Sequence, residues 1–154
     1  MGIKHSIYVA WRWFNKIFEF LTPFGDLFIR FWLAKVFFLS GLTKIQTWQS
    51  TVFLFTHEYA VPVLPPEWAA VSGTATELLI PVFLLLGLGG RLPAFILFVF
   101  NLVAVYSYPF LFTQAGAKGL EDHFYWGILI MVILLHGVGK LSIDHLIARF
   151  RRAS

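Results

Sequence analysis

Four stretches of roughly twenty predominantly apolar residues dominate this chain, and they narrow its folding options more than any other feature. A bilayer core is about 30 Å thick and an α-helix rises 1.5 Å per residue, so about twenty apolar residues make one crossing. The stretches cover about 25–44, 68–88, 91–112 and 123–143. With 58% hydrophobic and 13% charged residues and a mean hydropathy of +0.76, the chain lies far from soluble composition. The expected fold is an all-α integral membrane protein: a four-helix transmembrane bundle with an N-terminal amphipathic interfacial helix.

Local signals mark the span ends. Pro65 and Pro66 suit a helix start before Trp68, and Gly89 and Gly90 close the second span. Tyr108 and Pro109 fall near the end of the third, and Tyr125 and Trp126 anchor one rim of the fourth. The loop 45–67 has room for a short helix before HEYAVPVLPPEW, where three prolines oppose a continuous one. Ahead of the first span, Ile3, Ile7, Trp11, Phe14, Phe18 and Leu21 recur at steps of three and four, with Arg12, Lys16 and Glu19 on another side. This pattern predicts a retained interfacial helix over 1–22, followed by a transmembrane domain over 23–147 and a basic tail over 148–154.

Basic residues set the orientation. Lys4, Arg12, Lys16, Arg91, Arg149, Arg151 and Arg152 fall on one side of four spans, and Lys44 and Lys118 on the other. Both termini are therefore expected in the cytoplasm. The net charge of +4 is scattered, with no basic patch interleaved with aromatics, which disfavours nucleic acid. Without cysteine there is no disulfide, thiol exchange or Cys-ligated metal centre.

Ionisable groups inside such spans are functional candidates, because a lone charge at mid-depth costs about 2.5–3.5 kcal/mol on insertion scales. Counted from the span ends, Lys35, Glu77 and Asn101 share one midplane layer, with His136 nearer the height of Arg30. Lys35–Glu77 is the expected pair. Arg30, Phe37, Gly41 and Lys44 share one helical stripe, and Lys35 sits about 140° from Arg30, so only one of those two cations can face the bundle centre. Arg30 has Asp26 and Asp144 within reach of a snorkelling side chain. Pro81 is expected to kink the second span and free the carbonyl of Glu77. Two readings stand for this layer, a packing device that fixes register and a functional pocket. Outside the spans, His57, Glu58, Glu121, Asp122 and His123 are weak metal candidates beside the alternative of solvated loop charges. No glycine-rich phosphate loop, nucleophile elbow or HExxH motif is present, which disfavours a self-contained hydrolase or nucleotide enzyme.

The run RFWLAKVFFLSGLTK, followed by ELLIPVFLLLGLGGRLPA and HGVGKLSIDHLI, resembles the DoxX family of small four-span bacterial membrane proteins over about residues 25–147. The resemblance implies residence in a bacterial inner membrane and a role as an accessory membrane subunit of an oxidoreductase-type complex, with a redox partner subunit. By that analogy a quinone or lipid-like molecule is the expected ligand. Arg30, Asn101 and His136 would serve as donors and Trp32, Phe37 and Tyr106 as walls, with Lys35 and Glu77 in the same layer. For His136 a plain hydrogen bond to backbone or to Glu77 is the competing reading. A proton-coupled or small-molecule transporter, for which a homodimer would be needed, and a membrane scaffold are the alternatives.

Overall fold

The computed structural model describes residues 3–153. Met1, Gly2, Ser154 and the side chains of Ile3, Lys4, Ser6 and Ala153 fall outside the described residues, and with them the roles expected of Ile3 and Lys4. The described residues contain six α-helices and no strand. They are α1 (Ile3–Gln46), α2 (Trp48–His57), α3 (Pro66–Leu86), α4 (Leu92–Ser107), α5 (Ala117–His136) and α6 (Ile143–Ala153), with a 3-10 turn at Pro109–Phe112.

The four longest helices close a ring in which α1 packs on α3 and α5, α3 on α4, and α4 on α5. Helical periodicity selects the inward residues. Arg30, Leu33, Ala34, Phe37 and Gly41 are the buried stripe of α1, and Ala70, Thr74, Glu77, Pro81 and Leu84 that of α3. The shared core is Leu33, Phe37, Leu84, Leu97, Ile130 and Ile133. The outward faces are apolar too: Phe28, Phe31, Leu79, Phe83, Phe95, Leu102, Ile128 and Leu135 are all exposed. Helices apolar all round, with large contiguous apolar surface, do not belong in water.

Several boundaries differ from the sequence expectation. The break expected after residue 22 is absent, because α1 runs unbroken through Pro23. An internal proline forfeits one backbone bond without ending a helix whose neighbouring turns hold. At about 66 Å the helix far exceeds a bilayer core, and no side chain from Ile7 to Leu21 is buried. Pro81 sits buried inside an unbroken α3. Among the described residues one helix, Pro66–Leu86, is by itself long and apolar enough to cross a membrane. The apolar α4 has 16 residues, about 24 Å, because its last turn yields to Pro109. The basic tail is the second half of α6 rather than a separate segment. That helix is latched to the end of α3, since Asp144 N–H donates to the Gly87 carbonyl (3.2 Å) and its carboxylate accepts from Gly90 N–H (2.6 Å).

Glycine at 41 sets the separation of α1 and α3. A Cβ there would lie 2.9 Å from Leu78 Cγ and 3.0 Å from Glu77 Cβ. Gly41→Val is therefore expected to destabilise the fold by about 1–3 kcal/mol through overpacking. A thermal melt by circular dichroism in detergent checks this, and an unchanged midpoint would refute it.

Candidate functional site

The polar groups form two clusters at opposite ends of the ring, with Leu33, Leu84, Leu97 and Ile130, all fully buried, between them. The expected single midplane layer is thus corrected, and so is its pair. Glu77 joins Lys44, not Lys35, with Lys44 Nζ 2.7 Å from Oε2 and 2.8 Å from Oε1. Ser40 Oγ donates to Glu77 Oε1 at 3.1 Å and accepts from Lys44 at 2.9 Å. The depth count failed because it set Trp68 level with Lys44. Contact between Gly41 and Glu77 shows instead that α3 reaches some six residues, about 9 Å, further out.

Lys35 is exposed on the opposite face. Its amine stands 5.9 Å from the Trp32 ring centroid, beside a shallow outward groove formed with Phe31, Phe38, Pro81 and Leu85. Of the two cations weighed for the interior, Arg30 is the buried one, with no exposed surface. Neither Asp26 nor Asp144 takes its hydrogen bonds. Nη1 donates to the Leu85 carbonyl at 2.9 Å and Nη2 to the Leu141 carbonyl. His136 is largely exposed, 4.0 Å from Asp26, and reaches neither Glu77 nor Arg30's carbonyls. Its place at the last turn of α5 explains this.

Between the Lys44–Glu77 pair and α2 lies a cavity of about 480 Å3. Phe37, Phe55, Phe100 and Trp126 wall it, and Lys44, Glu77, Ser107, Tyr59, Tyr108 and His123 bring polar atoms to it. Its roof is α2 and the following loop, where Phe55 packs on Ala69 and Ala70 and Ala60 N–H donates to the Ser107 carbonyl at 2.7 Å. Burial pushes the Tyr59 phenol up to about 12, so it stays a neutral hydroxyl at physiological pH. Ser107 Oγ is buried and has no hydrogen-bond partner among the described residues.

Asn101 lies behind this wall. Its amide nitrogen donates to the His123 backbone carbonyl at 3.0 Å, and its Oδ1 lies 2.7 Å from His123 Nδ1. Gly127, one turn on, leaves the space, since a Cβ there would be 3.3 Å from the amide nitrogen. Of the ligand candidates named from sequence, Phe37 and Glu77 line the cavity and Asn101 supports it through His123, itself a lining residue that the sequence offered only as a weak metal candidate. Arg30, Lys35 and His136 do not, nor do the outward-facing Trp32 and Tyr106. Lys44, Ser40, Tyr59, Ser107 and Trp126 were missed. The common stripe of Phe37, Gly41 and Lys44 was the signal available for Lys44.

The weak metal candidates do not converge. Glu121 and Asp122 pair with Lys118 at 3.4 and 2.9 Å, His57 contacts the Phe53 carbonyl, Glu58 accepts from Tyr108, and His123 is held by Asn101. Among the described residues no three His, Asp or Glu side chains gather as a metal set.

An apolar exterior around a ring of helices, with a partly polar cavity near one end, defines a helical membrane protein with an internal amphipathic pocket. The family profile described as DoxX matches residues 25–113. The chain belongs to the DoxX family and is a membrane protein. The match takes in α3, α4 and the packed part of α1, and ends before α5. No curated protein and no solved structure matches the chain.

Proposed function

We propose that the chain crosses the bacterial inner membrane four times, through the packed part of α1 and through α3, α4 and α5, with both termini cytoplasmic. Its outer cavity receives the ring of a quinone or lipid-like amphiphile, and the chain serves an oxidoreductase assembly as a membrane subunit. Three features support the reading. DoxX membership is often linked to oxidoreductase-associated functions. The Lys and Arg asymmetry favours cytoplasmic termini. The cavity carries the most weight: about 480 Å3, aromatic on several sides and polar at a few points, it falls within the size and chemistry of small-molecule sites, roughly 300–1,000 Å3.

The two separated polar clusters weigh against a transporter, because no chain of ionisable groups links them through the Leu33–Leu84–Leu97–Ile130 core among the described residues. The test is equilibrium dialysis of detergent-solubilised full-length protein against a benzoquinone carrying a decyl tail. Saturable binding to the wild type is expected, together with at least about a tenfold loss in Ala104→Phe, which fills the cavity. Native mass spectrometry of gently extracted protein should then show a retained amphiphile. Absence of saturable binding, or equal binding by a folded Ala104→Phe protein, would overturn the reading.

A further inference from the structure

The group that the cavity offers at its His123 wall has a definite polarity, which follows from the partners of Asn101. A carbonyl oxygen only accepts hydrogen bonds. The Asn101 group 3.0 Å from the His123 carbonyl must therefore be the NH2, which turns the amide oxygen toward His123 Nδ1 at 2.7 Å. Reversing the amide would set two oxygens against each other, so the backbone settles the choice that side-chain amides usually leave open. An amide oxygen also only accepts, so Nδ1 carries the ring proton. In a neutral imidazole the other nitrogen is then a bare acceptor. Among the described residues Nε2 has no hydrogen-bond partner, and His123 lines the cavity.

Glu77, Ser107 and Tyr59 line the same cavity, and His123 Nε2 differs from the two hydroxyls in being an acceptor only. Glu77 Oε1 accepts from both Lys44 and Ser40, whereas Oε2 is ion-paired with the Lys44 amine at 2.7 Å and takes no hydrogen bond. Ser107 Oγ and the Tyr59 hydroxyl can each donate or accept.

We infer that the cavity selects a ligand bearing a hydrogen-bond donor, a phenol-type ring hydroxyl, that donates to His123 Nε2. For a quinone-like ligand this means that the dihydroxy form is held in preference to the dione. The inference rests on the cavity reading proposed above and adds the ligand's polarity to it.

A 4-alkylphenol and its methyl ether, which replaces the donor proton with a methyl group, separate the two claims without redox chemistry. In equilibrium dialysis with full-length protein in detergent, the phenol should bind about tenfold more tightly than the ether. Asn101→Leu releases the tautomer, and His123→Phe removes the acceptor, so both should reduce the preference to about twofold or less. Nitrogen-15 NMR of the wild type should show His123 protonated at Nδ1, a readout independent of ligand. Equal binding of phenol and ether, or an Nε2-protonated His123, would overturn this inference and leave the cavity reading intact. Binding of neither compound would overturn both.

Discussion

Arg30→Leu is expected to destabilise the fold by about 3 kcal/mol, read as a lowered unfolding midpoint in detergent. The guanidinium is fully buried and closes two helix ends at once, through the Leu85 carbonyl near the end of α3 and the Leu141 carbonyl just before α6. Leucine would leave both carbonyls buried without donors, at about 1–3 kcal/mol each. Among the described residues Arg30 Nε has no hydrogen-bond partner, which offsets part of the gain. Arg30→Lys should fall between, since an ammonium on a flexible stem lacks the planar fork that meets both carbonyls. Gly87 belongs to the same arrangement. Its φ of 63° is left-handed, and an added Cβ would collide with Ser142 and lie 2.6 Å from the Arg30 guanidinium. An unchanged midpoint in Arg30→Leu would show that the two carbonyls find other donors.

Lys44→Met should cost about 3–5 kcal/mol, and adding Glu77→Gln should restore most of it. Removing one member of a buried pair strands the other charge, whereas removing both can be nearly neutral. Here the imbalance favours a large effect, because the Glu77 side chain is 7% exposed and that of Lys44 is 21% exposed. A double-mutant cycle by thermal or chemical unfolding measures the coupling. Additive losses would mean that the carboxylate is solvated through the cavity and does not depend on the amine. Lys35→Met, on the far face, should be nearly neutral to unfolding, in contrast to both.

The helical class, the third helix and the turn at Pro109 were legible because apolar run length and proline punctuation act locally. That Arg30, Phe37 and Gly41 share a stripe was legible from phase. That this stripe is buried and the side bearing Lys35 is not was illegible, because phase does not say which face meets the other helices. Nor was the partner of Glu77 legible, because register between two antiparallel helices depends on where each meets the other, and that is decided by Gly41 against Leu78 rather than by a loop residue. A count from span ends misplaced it by six residues. His123 was visible only as a loop histidine, since its role depends on Asn101, 22 positions earlier on the neighbouring helix. Trp32 and Tyr106 show the converse: an aromatic ring suited to a ligand wall is equally suited to facing acyl chains, and only helical phase separates the two.

The dry leucine and isoleucine partition between the two polar clusters has an electrical meaning in a chain inserted as proposed. It acts as an insulator, so protons taken up or released beside Glu77 and His123 exchange with the outer aqueous phase alone. Chemistry in that chamber would be electroneutral with respect to the bilayer, neither drawing on the transmembrane potential nor adding to it.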